Sequence, residues 1–206
     1  MRTMRITEIK KQKRGQRVNI YLDGRFGFGI TNSALVDFDL FVNKELSAAE
    51  IEEIIKKDQA SKALQKCFRW LGIRPRSEKE LRDKLKEKQF DPKIINQAIG
   101  QIKELGYLND QEFTRMFIEM KKSKGRMVIQ RELRRKGIDE EIIKNSLAKY
   151  YSSDEELESA LNLAEKKMCT YKKLPALKTK QKLARYLAGR GFNWEIIQEV
   201  LHRLAP

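Results

Sequence analysis

Histidine and cysteine are nearly missing from this chain: there is one of the former and two of the latter among 206 residues. Cys67 and Cys169 form no Cys-x-x-Cys pair, and His202 is the one imidazole available to them, so no metal-ligand spacing can be assembled. The same scarcity leaves Ser/His/Asp and Cys/His catalysis without a base. Long apolar runs are also absent, and nothing approaches the roughly 20 residues that a membrane span requires. The basic first residues lack the apolar stretch of a secretion signal. A phosphate loop is missing too. The glycines of Gly24-Arg25-Phe26-Gly27-Phe28-Gly29 alternate as a strand does and do not lead through Gly-Lys-Ser/Thr into a helix. The paired carboxylates Glu52-Glu53, Glu140-Glu141 and Glu155-Glu156 read as solvated first turns of helices, where negative charge complements the helix dipole. The expectation is a cytoplasmic, monomeric binder with no catalytic residue, no metal, no cofactor and no membrane contact. Cys67 shares an apolar stripe with Leu64, Phe68 and Leu71 and reads as a small buried hydrophobe.

Positive charge is what the chain has in excess. Charged residues make up 35% of it, and the formal net charge is +15, which points to a polyanion or an acidic protein surface as partner. The excess is uneven. Residues 31–60 hold three Lys/Arg against seven Asp/Glu, residues 121–136 hold eight against one, and residues 165–190 hold nine against one.

An internal repeat organises the rest. Phe90, Ile94, Ile95, Ala98 and Ile99 reappear as Ile138, Ile142, Ile143, Ser146 and Leu147, and again as Phe192, Ile196, Ile197, Val200 and Leu201, at offsets of 48 and 54 residues. Upstream of each anchor stand Leu81 with Leu85, Ile129 with Leu133, and Leu183 with Leu187, one helical turn apart. A period of this size on i, i+4 spacing predicts stacked helical units, each unable to bury its stripe without neighbours. Each unit reads as three helices. Asp91, Asp139 and Asn193 occupy matching cap positions, Pro92 suits a first helical turn, and Gly137 and Gly191 stand where left-handed terminators belong. The first-helix stripes, Phe113, Met116, Phe117 and Met120 in the second unit and Leu157, Ala160, Leu161 and Ala164 in the third, read as core. Extra residues around Lys172-Lys173-Leu174-Pro175 lengthen the last interval.

The N-terminal segment follows a period of two. Val18, Ile20 and Leu22, an Asp23-Gly24 turn, then Phe26, Phe28 and Ile30 predict a hairpin, and Ile6 with Ile9 a third strand. Ser47 and Glu50 have the spacing of a capping box that opens a linker helix. The expected fold is mainly α: tandem three-helix repeats in an elongated curved array, preceded by a small three-stranded β module. The expected boundaries are 1–57 for the β module and linker helix, then 58–106, 107–152 and 153–206 for the repeats.

Mapped onto the repeat, the cations form a candidate stripe. With Ile129 and Leu133 facing inward, Arg131, Arg134 and Arg135 face outward; with Leu183 and Leu187 inward, Lys178, Lys182 and Arg185 face outward. Arg126 and Arg190 extend the set. The matching positions of the first unit are Asp83 and Glu87, so the stripe begins with the second.

Four segments in register with the repeat resemble a known family. They are Ile73-Arg74-Pro75-Arg76-Ser77-Glu78-Lys79-Glu80-Leu81, Gly106-Tyr107-Leu108-Asn109-Asp110 with Phe113, Glu132-Leu133-Arg134-Arg135-Lys136-Gly137-Ile138, and the run from Lys180 to Phe192. Over about residues 58–203 the chain is similar to the RecX family, with Arg74, Pro75, Arg76, Ser77, Glu80 and Leu81 as the family motif. The resemblance implies tandem three-helix repeats without catalytic machinery. It further implies a regulator in recombination, DNA repair and the SOS response that binds the RecA filament on single-stranded DNA and limits its ATPase, extension and strand exchange. Asn109 stands where the family often has aspartate; either residue caps a helix. Stacked units at about 10 Å spacing would give a rod on the order of 60 Å long, suited to a filament groove. Two other readings use the same charge: a helical nucleic-acid binder independent of RecA, with weak direct DNA contact, and a scaffold for another acidic protein.

Overall fold

At the N-terminus the alternation of apolar and polar residues becomes an antiparallel sheet. In the computed structural model, which describes residues 3–13, 16–171 and 174–204, four strands line up in the order β3-β2-β1-β4. They are β1 (Thr3–Lys11), β2 (Arg17–Leu22), β3 (Arg25–Thr31) and β4 (Glu45–Ser47). Asp23 and Gly24 take φ values of 48° and 80°, the doubly left-handed turn whose twist suits a two-residue hairpin. The pairing of Val18 with Ile30 and Ile20 with Phe28 puts one apolar face against α1 (Asn32–Asp37) and Ile54 of α2 (Ala48–Leu71). The alternation predicts three strands, and the fourth escapes it because three residues are too few to show a period.

Ser47 and Glu50 form the full reciprocal capping box, and α2 then runs unbroken for 24 residues. The linker helix and the first helix of the first repeat are therefore one helix, with no glycine or proline between them to end it. The first repeat is completed by α3 (Glu78–Glu87) and α4 (Pro92–Glu104). The second comprises α5 (Asp110–Lys121), α6 (Arg126–Arg135) and α7 (Glu140–Tyr150), and the third α8 (Ser153–Met168), α9 (Ala176–Arg190) and α10 (Trp194–Leu204). Asp91, Asp139 and Asn193 accept backbone N–H groups at the starts of α4, α7 and α10, as their spacing predicts. Gly137 and Gly191 have φ of 76° and 89° at helix ends.

Leu81, Leu85, Ile129, Leu133, Leu183 and Leu187 are all fully buried. The second and third repeats each enclose a cluster of their own, Phe117, Leu133 and Ile143 in one and Ala164, Leu187 and Ile197 in the other. Met120 departs from the expectation: it is 72% exposed, not core. Thr114 and Ile118 are fully buried, so the packed face of α5 is rotated away from the Met120 side. Lys172 and Lys173, in the predicted insertion, lie outside the described residues.

The chain divides into two compact units, Met1–Arg74 with Arg82–Tyr107, and Pro75–Leu81 with Leu108–Pro206. Among the described residues no helix is long and apolar enough to cross a membrane.

Candidate basic interface of the second and third repeats

Most of the positive run 121–136 is consumed within its own compact unit. Lys121 and Lys124 lie 3.7 and 2.6 Å from Glu132, Lys122 lies 3.2 Å from Glu119 and 2.9 Å from Glu155, and Lys136 lies 3.0 Å from Glu80. The hydrogen bond from Lys124 holds the Glu132 carboxyl below the usual carboxylate range. Arg134 donates to both carboxylate oxygens of Glu140, at 2.7 and 2.5 Å. An exposed pair of this kind stabilises little, but it cancels the charge that Arg134 would offer a partner. Two residues of the run remain, Arg131 and Arg135, exposed on α6 and without an ion pair among the described residues.

Arg126 is turned inward, a correction to its placement in the stripe. Its backbone N–H donates to Glu156 at 2.8 Å, its guanidinium lies 3.2 Å from the other Glu156 oxygen, and it donates to the Tyr151 carbonyl. Glu156 is 3% exposed, and burial pushes its carboxyl above the ordinary range despite the Arg126 N–H and guanidinium. The Tyr151 phenol, fully buried and pushed up to about 12 by burial, donates to the carbonyls of Lys122 and Lys124 at 2.9 and 3.1 Å. Glu156 is therefore not part of a solvated helix start, because the first turn of α8 is pressed against the loop between α5 and α6.

The cations of α9 keep their charge. Lys178, Lys182, Arg185 and Arg190 are exposed and make no ion pair among the described residues. Lys182 lies 5.7 Å from the Tyr171 ring and Arg190 5.3 Å from that of Tyr186, while Lys167 lies 5.6 and 5.5 Å from the two. Such contacts orient a cation without neutralising it. Lys167 and the two tyrosines were not legible as part of the site; Tyr186 stands one helical turn before Arg190, the one local hint.

The end of α9 meets the start of α6. Gly125 N–H donates to Arg190 O at 3.0 Å and Met127 N–H to Gly191 O at 3.3 Å. A Cβ on Gly125 would stand 2.0 Å from Gly191 O, so only glycine permits this approach.

The predicted family motif is a clasp. Ser77 is fully buried, its hydroxyl donates to Lys136 O at 2.6 Å, and it forms reciprocal capping contacts with Glu80 at 3.2 and 3.3 Å. Leu81 is fully buried and Arg76 is buried, whereas Arg74 and Pro75 are exposed. Lys136, paired with Glu80, lies 5.6 and 5.5 Å from the rings of Phe113 and Phe117. Residues 75–81 thus fasten the first turn of α3 to the turn that ends α6.

Family comparisons match this architecture in chain order. The regulatory protein RecX N-terminal domain matches residues 4–47, and the first, second and third three-helix domains of RecX match residues 63–101, 109–147 and 154–201. The chain belongs to the RecX family. Regulatory protein RecX of Bacillus licheniformis is 37% identical over 200 residues, covering 95% of this chain and 76% of that protein. Regulatory protein RecX of Clostridium perfringens is 37% identical over 204 residues, 97% of this chain and 96% of that protein. A crystal structure of regulatory protein RecX superposes with a TM-score of 0.72 at 28% identity, over 97% of this chain and 99% of the other. RecX from Lactobacillus salivarius gives 0.67 at 26% identity, over 72% and 97%. The β module, outside the resemblance read from the repeats, is a RecX domain as well.

Proposed function

We propose that this RecX-family chain regulates RecA by binding the RecA filament on single-stranded DNA, using exposed cations of α6 and α9. In doing so it limits ATP turnover, filament extension and strand exchange. The observation that carries this reading is the set Arg131, Arg135, Lys178, Lys182 and Arg185, exposed and unpaired among the described residues in a unit where neighbouring cations are spent on internal pairs. Cations grouped on one helix face repel one another, and an acidic protein surface or a phosphate row relieves that repulsion. A ligand that favours one packing of filament subunits shifts the filament toward it by its differential affinity, which is enough to slow turnover without chemistry of its own. Direct contact with DNA is the weaker, second interaction.

The experiment is RecA ATPase on single-stranded DNA titrated with this chain. Inhibition well below one chain per RecA is expected. Inhibition only at ratios that coat the DNA would assign the effect to competition for DNA, the reading in which the chain binds nucleic acid without RecA.

A further inference from the structure

The first compact unit holds a groove of about 620 Å³ between α2 and the start of β2. Its walls carry Arg17, Lys62, Lys66, Arg69 and Lys88, with Trp70 beside them and no acidic side chain among the lining residues. We infer that this groove is a docking site for a single strand of nucleic acid, distinct from the cations of α6 and α9.

Placement comes first. Lys62, Lys66, Arg69 and Trp70 are spaced i, i+4, i+7 and i+8, so they share one face of α2 and extend over about 12 Å, more than one phosphate repeat of a strand. The opposite wall is fixed by the pairing of Arg17 with Thr31 and by the Asn32 N–H, which donates to Gln16 O at 3.1 Å. Beneath the groove, Asp58 is 2% exposed. It accepts from the Thr31 N–H and hydroxyl at 2.8 and 2.9 Å, and it lies 2.7 Å from the Lys62 ammonium and 3.7 Å from the Arg17 guanidinium. One buried carboxylate therefore positions two cations while cancelling one charge. Lys66, Arg69 and Lys88 make no ion pair among the described residues.

The chemistry favours a nucleic-acid strand over an acidic peptide. Trp70 is half-buried with the Lys84 ammonium 5.4 Å from its ring, and an indole held beside a row of cations offers a base a stacking surface while the row follows the backbone. The uncharged Gln65 and Asn32 add donors and acceptors without opposing charge. A base can stack on Trp70 only where it is not already stacked within a duplex, so the indole favours a single strand. This inference needs no RecA and survives failure of the filament reading.

The test uses the full chain carrying Trp194→Phe, which leaves Trp70 as the one indole. Titration with a short oligo-dT should quench Trp70 fluorescence, with affinity falling linearly in log–log against salt. Lys66→Glu with Arg69→Glu should weaken binding about tenfold and flatten the salt slope by about 1.4, two contacts at about 0.7 each. Lys144→Glu with Lys149→Glu, exposed on α7 and outside both sets of cations, should leave the quench unchanged. Circular dichroism and Tm check the fold, and if the reversals unfold the chain, Lys66→Gln with Arg69→Gln should give the same flattening. Absence of quenching, an unchanged slope in both α2 variants, or polyglutamate displacing oligo-dT at equal charge concentration would overturn the inference, the last by assigning the groove to an acidic protein.

Discussion

Glu156 shows how one residue's environment sets both its charge and its neighbour's role. A carboxyl raised by burial binds its proton more tightly in the folded state than in the unfolded one, so it lowers stability above its folded-state pKa. That penalty disappears as pH falls through the raised value and is gone below the ordinary carboxylate range. The stability of the parent relative to Glu156→Gln should therefore rise as pH is lowered from 7 and then level off, measured by urea unfolding at a series of pH values. Glu156→Ala removes the acceptor of the Arg126 N–H and should cost about 1–3 kcal/mol at neutral pH. The cysteines give a second residue-scale outcome. Cys67 is fully buried, and burial pushes its thiol up to about 11, whereas Cys169 is exposed. A thiol reagent should label Cys169 quickly in the native protein and Cys67 only on unfolding.

Elements are held by leucines at equivalent positions. Leu133 of α6 and Leu187 of α9 are fully buried in separate clusters, so Leu133→Ala and Leu187→Ala should each cost about 2–5 kcal/mol in denaturant titrations. Being in different clusters, the two losses should add in the double variant. Near-neutral effects at both would mean that the repeats do not share a register.

Across the whole molecule, charge decides function through what internal pairing leaves over. Arg131→Glu with Arg135→Glu, or Lys182→Glu with Arg185→Glu, should weaken inhibition of RecA ATPase while leaving far-UV circular dichroism unchanged, because these side chains are exposed. Glu87→Lys with Glu104→Lys, on exposed positions of the first repeat, is the control of equal charge magnitude and should leave inhibition near the parent's. Reversal of Arg134 should matter less, since Glu140 already cancels it. If phosphate is the main contact, each lost cation should flatten the salt dependence of binding by about one unit of slope. If RecA carboxylates are, binding to free DNA should change far less than binding to the filament.

The three-helix repeats, the capped helix starts, the Asp23-Gly24 hairpin and the burial of Leu81, Leu133 and Leu187 were determined by local sequence, because each depends on spacing within a turn or a strand. Cys67 was legible for the same reason. The tertiary structure decided what spacing could not. Arg126 and Arg134 carry the same charge in the same run as Arg131 and Arg135, yet which of them meets a carboxylate depends on Glu156 and Glu140, placed by other helices. β4 exists because β1 offers it an edge, and Met120 is exposed because α5 packs through Thr114 and Ile118. The groove of the first unit joins Arg17 to Lys62 across the acidic stretch 31–60, so a count along the chain hides it. Periodicity reports which face of an element is buried; which groups meet across elements is fixed only when the chain has folded.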